Sequence, residues 1–381
     1  MSSQIRVNVI GAGRWGPNLI RAFFNLRDVT VGVVCDRDPA CLDRVQHRFR
    51  QIEITADPGR AIDDRRADAV VVATPVHTHY ELAKAALQAG RHVLVEKPLC
   101  GSVGECRELE SMADGRGRVL AVGHVFLFNP GIRKIKQIID SGELGRIYYI
   151  YATRTNLGPI RDDVNACWDL ASHDLSIFQY WLGGGPESVT AQGASFLNRD
   201  VHDVTVASYL YPGGVLAAVH ASWLNPRKVR EITIVGDRKM AVWDDMAVTE
   251  PVRLYDKSVE PSRETVYADT LGAFQTIIRE GDVLIPKVSG GEPLAQECAH
   301  FIECIRTGQR PLNNAAMGTD VVRALEATDE SLRRRGATVD IESAMETLIA
   351  GPATWQPREV PRRALDPQPA YAAAAPQGVG E

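Results

Sequence analysis

Near the amino terminus the apolar-rich run Ile5-Arg6-Val7-Asn8-Val9-Ile10 leads directly into Gly11-Ala12-Gly13-Arg14-Trp15-Gly16, and residues 15–26 then carry helical spacing. Glycines at those three positions, after a strand and at the mouth of a helix, leave few folds open. The first permits a tight turn, the second lets backbone approach a bound group, and the third lets helix pack against strand. The N–H groups that begin the helix have no carbonyl partners, so this end of the chain is suited to a negatively charged group such as a pyrophosphate.

The pattern continues in the same style. Short apolar runs at 5–10, 29–34, 69–73, 92–95 and 119–122 alternate with amphipathic stretches at 15–26, 39–50, 77–89 and 103–112. Strands alternating with helices predict β-α-β units and a doubly wound parallel sheet. The second run ends in Val33-Val34-Cys35-Asp36, which puts a carboxylate 20 residues beyond Gly16. A carboxylate there accepts hydrogen bonds from an adenosine ribose and repels a 2′-phosphate, which favours NAD. Arg37 beside it can pair with a phosphate and keeps NADP open.

The character changes at Asn129-Pro130-Gly131. A helix at 132–141, a strand at 147–151 and a helix at 171–182 precede strand candidates at 189–194, 205–210, 215–222, 231–235 and 240–243. Closely spaced strands joined by turns such as Tyr211-Pro212-Gly213-Gly214 imply a mostly antiparallel sheet, so an α/β unit is followed by an α+β unit. Helices return at 293–306 and 315–335, whereas 245–290 gives no clear pattern. We therefore expect a dinucleotide-binding domain at 1–125 and an α+β substrate and oligomerisation domain at 126–345, with the helix near 315–335 packing back on the first. Residues 352–381, rich in Pro and Ala, are expected to be a disordered tail.

Composition narrows the partners. The 381 residues carry a net charge of −5 with both signs interspersed, which gives no phosphate-tracking surface, so nucleic acid is not an expected partner. No apolar run approaches the roughly 20 residues of a membrane span, and no secretory leader precedes residue 5, so a cytoplasmic location is expected. Three of the cysteine pairs, Cys35/Cys41, Cys100/Cys106 and Cys298/Cys304, lack the spacing of common zinc sites, and no metal is expected.

Two further segments carry chemistry. Ala73-Thr74-Pro75-Val76-His77-Thr78-His79 ends the third clear strand and Val95-Glu96-Lys97-Pro98 ends the next. The carboxyl ends of parallel strands flank the ligand crevice of such a sheet, so both segments should face the bound dinucleotide. A lysine ammonium there can stabilise an alkoxide as hydride leaves carbon. In Trp168-Asp169-Leu170-Ala171-Ser172-His173 the carboxylate and imidazole are four residues apart and share a face if the segment is helical, so that Asp169 would orient His173, Lys97 or both.

With these residues in hand, the chain resembles the Gfo/Idh/MocA oxidoreductases over residues 5 to 345, through Gly11 to Gly16, Ala73-Thr74-Pro75 with His79, Glu96-Lys97-Pro98, and Asp169 with His173. The resemblance implies a Rossmann domain that binds NAD(P) and an open-faced sheet domain backed by helices. It implies cofactor contacts from Gly11, Gly13, Arg14, Trp15, Gly16, Asp36, Arg37, Thr74, Pro75, His79, Glu96 and Lys97. It also implies acid/base and electrostatic roles for Lys97 and His173, with Asp169 beside them; some relatives use a tyrosine where His173 stands. The stretch Asn156…Arg161…Asn165…Trp168-Asp169-Leu170 looks most like the branch acting on nucleotide-linked sugars and related amino sugars. Asn129, Arg161, Asn165 and Trp168 are the candidates for substrate contact, and Leu127 stands where many relatives carry an arginine.

The reaction expected is hydride transfer between the nicotinamide and a secondary ring hydroxyl of a sugar. His173 would take the hydroxyl proton and Lys97 would stabilise the developing charge. Alternatives are an inositol or aminocyclitol dehydrogenase, an NAD-dependent redox glycosidase, and a non-catalytic cofactor-binding regulator. A homodimer or homotetramer is expected through an apolar sheet face carrying Val215, Ala217 and Val219, unless those residues face the domain's own helices.

Overall fold

Apolar runs bounded by turn residues set the first sheet. In the computed structural model, which describes residues 4–197, 201–260 and 277–341, the chain opens β1 (Ile5–Ile10), α1 (Gly16–Phe24), β2 (Val29–Cys35), α2 (Pro39–Arg48), β3 (Glu53–Thr55) and α3 (Pro58–Ile62). It continues β4 (Ala69–Val72), α4 (His79–Gln88), β5 (His92–Glu96), α5 (Val103–Gly115) and β6 (Leu120–Gly123). The six strands are parallel in the order β3-β2-β1-β4-β5-β6. Val70, Val71 and Val72 are fully buried, as strands covered on both faces require. Caps start the helices: the Asp38 carboxylate accepts from the Ala40 N–H at 2.9 Å and the Ser102 hydroxyl from the Glu105 N–H at 3.3 Å. The short β3 and α3 escape the sequence pattern because three and five residues are too few to show a period.

The second half is α6 (Pro130–Asp140), β7 (Ile147–Leu157), a π-helical turn at Cys167–Ala171, α7 (Ser172–Leu182), β8 (Ser188–Ala194), β9 (Val204–Tyr211), β10 (Val215–Ser222), β11 (Leu224–Gly236), β12 (Met240–Asp244) and β13 (Val252–Tyr255). It closes with β14 (Ser258–Glu260), β15 (Ile277–Arg279), β16 (Val283–Leu284), α8 (Pro293–Thr307), α9 (Ala315–Arg333) and β17 (Val339–Asp340). Nine strands form one sheet, β16-β13-β12-β11-β7-β10-β9-β8-β17, antiparallel except between β7 and β10. The fold is thus the parallel sheet plus mostly antiparallel open sheet that the sequence predicts. The tail expected at 352–381 lies outside the described residues.

Both long carboxyl-terminal helices return to the first sheet's layers. Helix α9 packs on α5 and β8, and α8 packs on α1. Leu294, Cys298, Phe301 and Ile302 of α8 join Val7, Val9, Leu19 and Phe23 in one buried cluster, with the Phe23 and Phe301 rings edge to face at 6.3 Å. The sequence reading anticipates only the α9 contact.

The apolar sheet face is a correction. Ala217 and Val219 are buried against the sheet's own helices, and the opposite face carries the exposed residues Tyr149, Tyr151, Val206, Leu210 and Leu216. Register places Leu216 directly beside both Tyr149 and Leu210. Strand alternation is legible in sequence, but which of two faces the helices cover is not. All seven cysteines are free and buried, and among the described residues no helix is long and apolar enough to cross a membrane.

Candidate active site

The carboxyl ends of β1, β2, β4 and β5 face the strand ends of β7 and β11 across a cleft of about 1350 Å³, above the roughly 300–1,000 Å³ of an ordinary small-molecule site. Its first end is the glycine loop. Gly11 has φ +102°, and a Cβ there would lie 2.4 Å from the Ala73 carbonyl oxygen, so the turn excludes any side chain. A Cβ on Gly16 would fall 2.0 Å from the Gly11 oxygen, whereas one on Gly13 would meet no atom within 4 Å and would only fill the open cradle. That is the arrangement a pyrophosphate requires, so the residues fit the dinucleotide that the motif implies. The Asp36 carboxylate accepts from the Ala12 N–H at 2.6 Å and so ties the loop to the end of β2. Arg14, Trp15, Asp36 and Arg37 all line this end.

Thr74 and Pro75 line the middle of the cleft, with the Thr74 and Thr78 hydroxyls 2.6 Å apart. Lys97 enters from the end of β5, next to a cis Lys97–Pro98 bond. Its ammonium donates to the Asp169 carbonyl at 2.6 Å and lies 3.6 Å from the Asp169 carboxylate. Desolvation lowers its pKa below 10.5, opposed by the charges of Asp169 and Glu96 and assisted by Arg161 and Arg154.

Asp169 sits in the π-helical turn. The wider turn rotates the chain, so residues four apart no longer stack, and the structure records no hydrogen bond between Asp169 and His173. Asp169 instead accepts from Arg161 Nη1 at 3.3 Å and from the indole of the buried Trp223 at 3.1 Å. Of the two expected partners of Asp169, His173 is therefore corrected, and Asp169 pairs with Lys97. His173, in the first turn of α7, lines the cleft, and its Nδ1 is buried without a partner, which leaves Nε2 as the nitrogen able to reach a ligand. Burial, reinforced by Lys97 and Arg154, drives its pKa well below 6.5, so the resting imidazole is neutral.

Five expected contacts lie elsewhere. His79 is buried, with Nδ1 2.9 Å from the Pro98 carbonyl and Nε2 2.8 Å from that of Thr74, so it braces the two segments that flank the cleft. The Glu96 carboxylate packs against Gly123 and the Trp15 indole, and desolvation raises its pKa to about 7. Asn129 caps α6 through Gly131 N–H at 2.8 Å and donates to Asp245 at 3.2 Å. Asn165 and the Trp168 indole each donate at 2.8 Å to the Asp329 carboxylate on α9. All five are polar groups whose partners are internal, which sequence proximity to the motifs does not reveal. Leu127 is fully buried.

Of the polar residues at the far end, Asn156 appears in the sequence reading only within the resemblance, and Arg154, Lys228 and Arg230 do not appear in it. Arg154 did leave a trace. It falls on the inward alternation of β7 with the buried Ile150 and Ala152, where an unpaired charge would be costly.

Residues 5–124 match the profile of the oxidoreductase family with an NAD-binding Rossmann fold, and residues 132–242 match the GFO/IDH/MocA C-terminal domain, together well over half of the chain. The chain belongs to the Gfo/Idh/MocA family. It is an oxidoreductase whose first domain is the family's NAD-binding unit. It is 27% identical to scyllo-inositol 2-dehydrogenase (NAD(+)) of Bacillus subtilis over 82% of this chain and 89% of that one. It is 34% identical to UDP-N-acetylglucosamine 3-dehydrogenase of Acidithiobacillus ferrooxidans over 47% of this chain and 53% of that one. The solved structure of the Acidithiobacillus ferrooxidans enzyme superposes with a TM-score of 0.74 at 24% identity, covering 87% of this chain and 98% of that one, a likeness of fold.

Proposed function

We propose that the chain transfers hydride between NAD and a secondary ring hydroxyl of a sugar, one that is nucleotide-linked or belongs to an amino-sugar series. The observation that carries this reading is the meeting of Lys97 and His173 in one cleft with a dinucleotide cradle. Bound NAD supplies the nicotinamide carbon that exchanges hydride with the ring carbon. The chain's residues manage the proton. Neutral His173 accepts it from the hydroxyl through Nε2, and the Lys97 ammonium, aimed by the Asp169 carbonyl, stabilises the alkoxide. Asp169, fixed by Arg161 and Trp223, keeps Lys97 charged against its desolvation.

A cyclitol is the second reading, supported by the inositol dehydrogenase relative that spans most of the chain. Nicotinamide absorbance at 340 nm, with NAD or NADP against UDP-sugars, sugar phosphates, free sugars and inositols, separates the two. Turnover of no member of the panel would overturn both.

His173 must be neutral and Lys97 charged, so kcat/KM for oxidation falls as pH drops through the His173 value, below 6.5, and as pH rises through the Lys97 value, below 10.5. Initial rates from pH 4 to 11 check this, and loss of the acid limb in His173→Gln assigns it.

We also propose that a second copy of the chain covers the face of Tyr149, Tyr151, Leu210 and Leu216, an exposed apolar patch contiguous by register. Sedimentation velocity should then report an oligomer that Leu216→Asp dissociates. A monomeric wild-type protein would refute the assignment.

A further inference from the structure

The far end of the cleft holds an arrangement that hydride transfer does not require. Arg154 on β7 and Arg230 on β11 are directly paired across the two strands. Like charges directly opposite destabilise a sheet. The structure supports them separately: Arg154 donates through Nε at 2.9 Å and Nη2 at 2.7 Å to Asp174, and Arg230 donates through Nη1 at 3.1 Å to Asp245. The Phe126 ring serves both, with the Arg154 and Arg230 guanidinium carbons 4.6 and 5.8 Å from its centre. Asn156 follows Arg154 by two residues on β7, Lys228 precedes Arg230 by two at the irregular start of β11, and all four line the cleft. Lys228 is exposed and carries no ion pair among the described residues.

The charge balance points one way. At this end the lining cations are Lys97, Arg154, Arg161, Lys228 and Arg230, and the lining carboxylate is Asp169. Asp174 and Asp245 hold their arginines without themselves lining the cleft; Arg230 is half-buried and presents its cation, whereas the Arg154 side chain, 3% exposed, forms part of the cleft wall. A neutral polyol could accept hydrogen bonds from such a surface but would leave its excess charge uncompensated.

We propose that Arg154, Arg230 and Lys228 form a clamp for an oxyanion substituent of the substrate, a phosphate or a carboxylate carried outside the reacting carbon. The proposal rests on the hydride-transfer reading, which assigns the reacting carbon to Lys97 and His173. Arg230 is half-buried and held by Asp245, which is held in turn by Asn129, so it enters the clamp already oriented. Lys228 at the exposed rim adds a mobile point charge.

The test compares wild type with Lys228→Ala and Arg230→Met. Substrates are UDP-N-acetylglucosamine for a diphosphate, glucose 6-phosphate for a monoester, galacturonate for a carboxylate and myo-inositol for a neutral ring. The anionic member turned over best should exceed myo-inositol in kcat/KM. Each variant should raise its KM by about tenfold with kcat within about threefold, which is the expected loss of one charge-assisted contact. Which anion wins distinguishes phosphate from carboxylate. Preference for myo-inositol, or an anionic KM unmoved in both variants, overturns the clamp. Should no compound turn over, the hydride reading falls instead, and calorimetric titration of the NAD-saturated protein with inorganic pyrophosphate and galacturonate still decides the clamp. Binding weakened about tenfold in Lys228→Ala sustains it; absent or unchanged binding overturns it.

Discussion

Replacing Lys97 by methionine is expected to lower kcat about a thousandfold while NAD affinity moves by no more than about threefold. Methionine keeps most of the volume of the stem, so the end of β5 and the His79 brace to Pro98 stay in place. What disappears is the ammonium that the Asp169 carbonyl holds at 2.6 Å. In a desolvated cleft a positive charge is worth far more to a developing alkoxide than in water, and little to a bound ground-state hydroxyl. The loss should therefore fall on kcat and not on cofactor binding, most of whose expected contacts lie in the glycine loop and at Asp36, Arg37, Thr74 and Pro75. Lys97→Arg should recover little, because a planar fork cannot place one donor where the single ammonium sits. Steady-state rates, with NAD affinity from fluorescence titration, check the division. Turnover that survived in Lys97→Met would remove Lys97 from the mechanism.

How much of the site is legible in the sequence depends on the range of the interaction. The glycine loop, Asp36, Thr74 and Lys97 sit at strand ends in a parallel sheet, where the topology sends whatever follows a strand into the crevice. They are readable because the rule is local. Asn165 and Trp168 show the opposite case: their neighbours in sequence belong to the site, but their side chains are spent on Asp329, more than 160 residues away. The π-helical turn is a third kind of miss. The spacing from Asp169 to His173 reads as one helical face, and the wider turn separates them into a partner for Lys97 and an imidazole packed edge to face on Phe126 with its Nδ1 unpartnered. The opposed arginines depend on the register of β7 and β11, interrupted by an irregularity between Leu224 and Val229, which no local pattern encodes.

That buried pairing sets the second large effect. In Arg154–Asp174 the side chains are 3% and 1% exposed and joined by two hydrogen bonds, so Asp174→Asn keeps the shape while leaving a guanidinium charge in the interior without its counterion. Breaking a buried pair from one side costs about 3–5 kcal/mol. For a chain of 381 residues that corresponds to a fall in Tm of roughly 4–6 °C, readable by calorimetry. Removing both charges together, as Arg154→Met with Asp174→Leu, should return most of that stability, because two desolvated ions are exchanged for apolar packing. The double variant then separates two roles. If the ion pair serves only the fold, the repacked protein should bind and turn over substrate as before. If Arg154 is held there to meet an anion, the stable double variant should still raise the KM of an anionic substrate, showing that the fold keeps this charge for the ligand.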